Sequence, residues 1–274
     1  MTPEALLPHL SRLPPAPKVA AALLADLDRK DSDAAGMARL IAADQALSVK
    51  LLTLANSAFY RKSRQIASVQ DAAVLVGTEA LRALALGLSA AASLPFPPGY
   101  DRRMFWRYNL HTAVAARQLA PRVGVDAGLA FSAGLLHTLG EPLIGLAFPE
   151  QARQLDREVA FFERGRAAAE RRVLGLDYAE VGAWAGEHLS LPGELIYAIA
   201  HCAEPLAVQP FLPLAGLVRL SAGLAMCREL DLSLSEQVAG PDGALLERLN
   251  LTLRGVLELP PLDQLAAGLE SLVL

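Results

Sequence analysis

The amino-acid sequence predicts an all-α protein, in which an N-terminal helical subdomain packs on a bundle of further helices. Hydrophobic residues make up 53% of the 274 residues and aromatic residues only 5%, so the core must consist largely of leucine, alanine and valine. Leucine and alanine are strong helix formers because they lose little side-chain freedom in a helix. No stretch alternates apolar and polar residues in the manner of a half-buried β-strand.

In the N-terminal third, apolar residues recur at helical spacing, and polar residues and glycines mark the helix ends. The proline-rich segment 13–17 ends one helix and begins another, because proline is tolerated only in the first turn. The cluster Asp-Ser-Asp at 31–33 predicts a helix N-cap. Ser68 and Asp71 predict a capping box, and Gly77 predicts the end of the helix that the box opens.

Residues 95–99 predict the main boundary within the chain, since they include three prolines and a glycine. We therefore divide the chain into an N-terminal helical part at 1–98, a helical bundle at 99–206 and C-terminal helices at 207–274 that pack on the bundle. Apolar spacing and capping residues predict bundle helices over about Asp101 to Ala120, Asp126 to His137, Glu150 to Arg164 and Asp177 to His188, with another from about Pro192.

Charge, cysteine content and hydropathy argue against several classes of protein. The formal net charge of −4 disfavours a nucleic-acid binder, which normally carries a basic field. Cys202 and Cys227 lack metal-ligand spacing and fit a reducing compartment. The charge-free stretch 83–100 is broken by prolines and is too short to span a bilayer of ~30 Å, and the N-terminus does not resemble a signal peptide. We therefore expect a cytoplasmic protein that binds neither nucleic acid nor membranes.

Of the five histidines, His137 is the most informative. It ends an apolar helix, in the segment Gly-Leu-Leu-His-Thr-Leu-Gly at 134–140. A histidine in this position resembles the HD signature of metal-dependent phosphohydrolases. In that signature, adjacent His and Asp side chains bind a divalent metal ion that activates water.

Further motifs, in the same order along the chain, resemble consecutive signatures of the HDOD family over roughly residues 10 to 210. They are Leu13–Pro17, Ile41–Leu47, Ala55–Tyr60, Ile66–Ala72 with Gly77, Phe105–Arg107 and Ala133–His137. This family is an all-α relative of the HD phosphohydrolases and generally serves as a signalling output module rather than as an enzyme. The resemblance implies a pseudo-HD bundle over 99–206 and a regulatory role in bacterial two-component or second-messenger circuits.

At the metal-binding positions that the resemblance implies, this sequence departs from the HD pattern. Tyr108 stands where those enzymes have their first histidine, and His111 lies one helical turn further on. Thr138 stands where an aspartate should follow His137. A neutral hydroxyl group is a poor ligand for a hard divalent cation, which prefers carboxylate oxygens.

The downstream positions of the implied site are altered as well. His201 and Cys202 stand where related proteins have a His-His pair, and Ala222 stands where a late helical aspartate is expected. Only His137 and His201 remain of a ligand set that needs about four or five. We therefore predict a vestigial site without metal, cofactor or catalytic residues, in which both histidines hydrogen-bond in or beside the helical core. Nothing in the spacing selects a replacement ligand among Asp126, Glu141, Glu187 and Glu204.

Two basic clusters are candidates for contacts with a nucleotide phosphate or an acidic partner. Arg61, Lys62 and Arg64 lie in a predicted loop, and a second cluster spans 164–172. Arginine and lysine can form charge-assisted hydrogen bonds to such anions. The alternative, which we favour, is that both clusters are solvated, where ion pairs contribute little.

Three hypotheses about function follow from these residues. We favour a non-catalytic regulatory module that acts through an unidentified signalling partner protein. The second hypothesis is a metal-dependent phosphohydrolase with atypical ligands, built on His137 and His201 and acting on a cyclic dinucleotide. The third is a sensor that binds a nucleotide second messenger at the vestigial site without hydrolysing it. An oligomer is compatible with all three.

Overall fold

The structure, a computed structural model, describes residues 34–42, 45–56, 60, 66–77, 81, 94–189, 191–239, 242–267 and 269. Every regular element within these residues is a helix, which confirms the all-α fold class. The proline-rich segment at 13–17 and the N-cap predicted at 31–33 lie outside the described residues.

The N-terminal part contains the described helices α1 (Ala34–Ala42), α2 (Gln45–Ala55) and α3 (Val69–Val76). These helices pack on one another and bury apolar side chains from each, as their helical spacing predicts. Burial of this shared face is what holds such short helices together, because isolated helices of this length are marginal in water.

The ends of α2 and α3 are set by side-chain hydrogen bonds and by a glycine. Ser68 caps α3 by accepting a hydrogen bond of 3.3 Å from the backbone N–H of Asp71, and Gly77 ends it with a φ of 83°. The N-cap and the helix end are as predicted, but only this half of the predicted capping box is formed among the described residues. At the end of α2, the Asn56 amide bonds the backbone of Ile66 in both directions, donating at 2.8 Å and accepting at 2.9 Å. This pair joins the end of α2 to Ile66, two residues before the N-cap of α3.

The remaining described helices form the bundle and its C-terminal extension. They are α4 (Arg102–Val123), α5 (Ala127–Leu136), α6 (Gly140–Ala147), α7 (Pro149–Glu158), α8 (Arg166–Leu174), α9 (Tyr178–His188), α10 (Gly193–His201), α11 (Pro213–Leu230), α12 (Leu234–Ala239), α13 (Gly243–Arg248), α14 (Leu253–Leu257) and α15 (Leu262–Ala266). The long helix α4 forms the centre and packs chiefly against α5 and α11. The C-terminal helices α12, α13 and α15 pack on α11 or α4.

The predicted end of one bundle helix is wrong, and one helix is absent from the prediction. Helix α7 ends at Glu158 rather than near Arg164, because Val159 is extended (φ −153°, ψ 124°) and a turn follows it. The turn places Arg164 and Arg166 beside acidic partners that lie far away in sequence. Helix α6 was not predicted as a separate element. The division of the chain at residues 98 and 206 stays a prediction.

One helical stretch, Ala127–Ala147, is long and apolar enough to cross a membrane by length and composition. Of its most apolar window, 89% is buried inside the fold. The stretch comprises α5, a turn and α6, and its apolar side chains belong to the core.

Candidate functional site

Two close approaches between helices bring the side chains around His137 together. A Cβ atom on Gly134 would lie 2.7 Å from the Cα atom of Ala113 on α4. A Cβ atom on Gly140 would lie 2.2 Å from the carbonyl oxygen of Tyr178 on α9. Only glycine fits at such distances, so these two residues let the turn after α5 sit between α4 and α9.

His137 is buried and neutral in this turn. Its Nδ1 lies 2.8 Å from the carbonyl oxygen of Gly134, so Nδ1–H is the donor and Nε2 is an unprotonated acceptor. Nε2 is buried and has no hydrogen-bond partner among the described residues. Burial lowers the pKa of His137 to about 4, and the nearby charge of Arg219 acts in the same direction.

Thr138 faces α4 and is fully engaged there. Its hydroxyl group donates a hydrogen bond of 2.8 Å to Oδ1 of Asn109, and the Asn109 amide donates one of 2.9 Å to the carbonyl oxygen of Phe105. Both side chains are buried. Sequence reasoning missed Asn109, although a polar amide within the apolar face of α4, next to Tyr108, is a signal of a buried hydrogen bond.

Tyr108 packs against His137 with its phenol ring rather than offering a ligand atom. The two ring centroids are 5.5 Å apart, and Phe161 and Phe162 lie 5.7 and 5.8 Å from the Tyr108 ring. Burial raises the pKa of Tyr108 far above its usual value. The phenol is therefore neutral and forms part of an aromatic cluster.

Cys202 completes the buried cluster from the end of α10. Its thiol donates a hydrogen bond of 3.2 Å to the carbonyl oxygen of Ile199. Burial raises the pKa of Cys202 to about 12, so it is a thiol rather than a thiolate, and the thiolate is the form that binds metals.

Arg219 on α11 adds a permanent positive charge to this cluster, and sequence reasoning missed it. Its charge acts on Tyr108, His137, Cys202 and Tyr178, lowering the pKa of each. A guanidinium group keeps its charge at every physiological pH. It therefore opposes both the protonation of His137 and the arrival of a metal cation.

The residues around His137 do not fit a divalent metal ion. The groups brought together there are an imidazole, a phenol, a hydroxyl group already bonded to an amide, a protonated thiol and a guanidinium group. Among the described residues, no three His, Cys, Asp or Glu side chains converge in a way that could hold a metal. A buried carboxyl oxygen without a hydrogen-bond partner, Oε1 of Glu141, would add a single oxygen donor.

The other predicted site residues lie outside this cluster or contribute no ligand atom. His111 turns to the C-terminal helices, with Nδ1 3.4 Å from Glu229 and Nε2 3.5 Å from Asp263. His201 is half-buried and its ring packs against Tyr197. Ala222 is buried on α11 and offers only a methyl group. The loop residues Arg61, Lys62 and Arg64 lie outside the described residues.

The second basic cluster, at 164–172, is engaged in ion pairs within the protein. Arg164 forms a two-pronged ion pair with the buried Asp242, and Arg171 pairs with Asp177 and Glu204. The prediction that this cluster is a solvated face is wrong for Arg164 and Arg166, whose side chains are 20% and 3% exposed. The turn after α7 directs both of these arginines inward.

Arg166 forms the centre of a buried network beside the His137 cluster. It donates to Glu141 at 3.0 Å, to Asp156 at 2.7 Å and to Glu170 at 2.8 Å. Glu170 also accepts a hydrogen bond of 2.7 Å from the backbone N–H of Tyr178. Burial and the neighbouring Glu170 raise the pKa of Glu141 well above its usual range. The network ties α6, α7, α8 and α9 together.

Comparison with known proteins identifies the family of this chain. Residues 13–205 match the HDOD domain. The chain is 28% identical over 195 residues to an uncharacterised protein of Treponema pallidum (strain Nichols), a match that covers 70% of this chain and 38% of that protein.

Solved structures share the fold over nearly the whole chain. One, from Shewanella amazonensis SB2B, carries a provisional phosphohydrolase name; it is 27% identical with a TM-score of 0.78, over 98% of both chains. Another is an HDOD domain protein of unknown function from Geobacter sulfurreducens, which is 23% identical with a TM-score of 0.74, over 93% of this chain and 91% of that one. The family match covers well over half of the sequence, and this chain is a member of the HDOD domain family.

Proposed function

We propose that this HDOD domain is a non-catalytic regulatory module that acts by binding a partner protein. The observation that carries the proposal is the hydrogen bond between Thr138 and Asn109, at the position where an HD phosphohydrolase needs a metal-binding aspartate. The Thr138 hydroxyl group is neutral and already donates a hydrogen bond to an amide oxygen inside the core. It is therefore a poor ligand for a divalent cation, which prefers carboxylate oxygens.

The electrostatics of the site support the same proposal. Catalysis by an HD enzyme depends on a metal ion that activates water and offsets phosphoryl charge. Here Arg219 brings a fixed positive charge to the cluster, and His137, Tyr108 and Cys202 are all neutral. The cluster therefore acts as part of the core, and the surface of the domain binds the partner protein. We place this activity in the cytoplasm, without nucleic acid or membrane as partner.

A metal-dependent phosphohydrolase is the second candidate, and one observation favours it. Nε2 of His137 and Oε1 of Glu141 are both buried without hydrogen-bond partners among the described residues, and buried polar atoms normally have one. The similarity to a structure with a provisional phosphohydrolase name points the same way. A third candidate, a sensor for a nucleotide second messenger, would use Arg219 to bind phosphate.

Elemental analysis together with a phosphodiesterase assay tests the proposal. Wild-type protein and a His137→Ala variant would be assayed with bis(p-nitrophenyl) phosphate and with a cyclic dinucleotide, each with added Mn²⁺. We expect substoichiometric metal and no turnover by either protein. One equivalent of tightly bound metal, with turnover that His137→Ala abolishes, would overturn the proposal. Heat release on calorimetric titration with the cyclic dinucleotide, without turnover, would favour the sensor.

A further inference from the structure

A cavity of about 310 Å³ lies between the C-terminal end of α11 and the helices α12, α14 and α15. Its wall is mostly apolar, and the aliphatic side chains that form it are Leu224, Leu232, Leu234, Val256, Leu259 and Leu262. Pockets that bind organic groups commonly have such a volume, an apolar wall and a few polar groups at fixed positions. None of its lining residues belongs to the His137 cluster, and all of them lie beyond residue 205, where the family match ends.

Two exposed leucines line this cavity, and two more lie next to lining residues in the sequence. Leu232 and Leu234 line it and are 40% and 38% exposed, and Leu230 and Leu257 nearby in the chain are 38% and 41% exposed. Half of the eight large, exposed apolar side chains in the described part of the protein thus fall between residues 230 and 257. Apolar side chains grouped in this way around a concavity mark an interaction surface, whereas scattered ones do not.

The polar groups of the cavity carry an excess of negative charge. Arg228 forms a two-pronged ion pair with Asp263, at 2.6 and 3.2 Å, and the exposed Asp231 also lines the cavity. Two carboxylates against one guanidinium group leave one negative charge. This balance is that of the lining residues; next to them, Glu229 pairs with Arg107 and Arg122 donates to a carbonyl oxygen of α14.

The cavity is held in shape by contacts with the central helix α4. His111 on α4 lies between Glu229 of α11 and Asp263 of α15. Arg122, at the other end of α4, donates a hydrogen bond to the carbonyl oxygen of Gly255 in α14. Both walls are therefore attached to the core, and a ligand would enter a preformed site at a low cost in conformational entropy.

We propose that this cavity is a docking site for an amphipathic segment of a partner protein. The segment inserts a leucine-like side chain between Leu232 and Leu234 and places a lysine or arginine next to Asp231. The apolar wall accounts for the first contact and the excess negative charge for the second. The proposal rests on the proposed function and deepens it, because it names the surface and the chemistry of the partner.

Binding of synthetic amphipathic peptides to the full chain tests the docking site. A fluorescent leucine–lysine helical peptide would be titrated by anisotropy, next to a leucine–glutamate peptide with the same leucine positions and a serine–lysine peptide without leucines. We expect the leucine–lysine peptide to bind about tenfold more tightly than either of the others. Equal binding of the leucine–glutamate peptide would overturn the proposal.

Variants of the protein connect that binding to the cavity. Replacing both Leu232 and Leu234 by serine should weaken binding of the leucine–lysine peptide about tenfold. The matched control replaces Val49 and Val74 by serine, and these side chains are 57% and 70% exposed on other helices. It should leave the affinity for the leucine–lysine peptide unchanged. Thermal unfolding would first show that both double variants are folded. An equal loss of affinity in the two variants, or no loss in the Leu232 and Leu234 variant, would contradict the proposal.

The charge contact has a conservative variant of its own. Asp231 has a φ of 52°, and asparagine tolerates this conformation well, so Asp231→Asn removes charge without strain. We expect about threefold weaker binding of the leucine–lysine peptide at low salt and a smaller difference at high salt. Unchanged affinity would contradict the contact between Asp231 and a basic residue of the partner.

Two further outcomes separate this proposal from its alternatives. Sedimentation of the protein with phosphatidylglycerol vesicles, abolished by the Leu232 and Leu234 double variant, would identify a lipid surface as the occupant and overturn the protein partner. Phosphodiesterase turnover that His137→Ala abolishes would overturn the proposed function, and the peptide titrations would still report on the cavity. Failure of one is therefore distinguishable from failure of the other.

Discussion

The hydroxyl group of Thr138, directly after His137, donates a hydrogen bond of 2.8 Å to Oδ1 of Asn109 on α4. The Asn109 amide in turn donates a hydrogen bond to the carbonyl oxygen of Phe105, so both side chains have hydrogen-bond partners within the protein. Each bond joins groups that are shielded from water, where an unpaired polar atom is costly. This contact thus fastens the turn after α5 to α4.

Replacing Thr138 by valine tests how much this contact stabilises the fold. The change keeps the shape of the side chain and leaves Oδ1 of Asn109 without a donor, so we expect the free energy of unfolding to fall by about 1–3 kcal/mol. Urea denaturation measures it. Thr53→Val is the control, since the Thr53 hydroxyl group bonds only the backbone of its own helix, at Val49. A loss no larger than that of the control would contradict a structural role for Thr138.

Gly134→Ala tests the close approach of α4 and α5. The new methyl group would lie 2.7 Å from the Cα atom and 2.9 Å from the backbone nitrogen of Ala113, and backbone atoms cannot move aside like the end of a side chain. Overpacking of this kind destabilises a fold by about 1–3 kcal/mol. At Gly193, a Cβ atom has nothing within 4 Å, so Gly193→Ala should be neutral or slightly stabilising. Equal melting temperatures for the two variants would show that the helices are further apart.

The succession of helices and several of their caps could be predicted from the sequence, because these depend on neighbouring residues. Asp177 and Glu180 form the full capping box that opens α9, and Asp126 caps α5 through the backbone N–H of Leu129. Ser68 and Gly77 likewise mark the ends of α3. Each of these signals acts over two to four residues, so the pattern alone identifies it.

The composition of the site could be predicted only in part, because its partners are distant in sequence. The resemblance to the HDOD family pointed to Tyr108 and His137, and the structure places their rings together. It gave no sign of Arg219, whose charge reaches the cluster from α11. The resemblance also implies a vestigial role for His111, one turn after Tyr108, yet its ring faces Glu229 and Asp263 of the C-terminal helices. Such contacts depend on helix packing, which the local pattern does not encode.

The buried histidine makes stability depend on pH in a definite direction. The pKa of His137 is lowered to about 4 in the folded protein, whereas a histidine in an unfolded chain has a pKa of about 6.5. On acidification from pH 6.5 to 4 the unfolded state therefore takes up a proton that the folded state does not, and stability falls by about 3 kcal/mol. Above pH 6.5 this contribution is fully present.

A comparison with His137→Gln isolates that effect from other titrating groups. Glutamine has donor and acceptor groups but does not titrate, so the stability of the variant should fall less steeply than that of the wild type between pH 6.5 and 4. Urea denaturation at a series of pH values gives both slopes. Parallel curves for the two proteins would show that His137 titrates in the folded state as it does in the unfolded chain.

Replacing Arg166 by methionine tests the buried network beside the site. Glu141 and Glu170 would be left without their cation in a place shielded from water, and breaking a buried ion pair in this way costs about 3–5 kcal/mol. Arg153→Met is the control, because Arg153 pairs with Glu150 on the surface, with both side chains more than half exposed. Exposed pairs contribute about 0–1 kcal/mol, so urea denaturation should separate the two variants clearly. If the free energy of unfolding of Arg166→Met were no lower than that of the control, the network would have to be exposed to water in the folded protein.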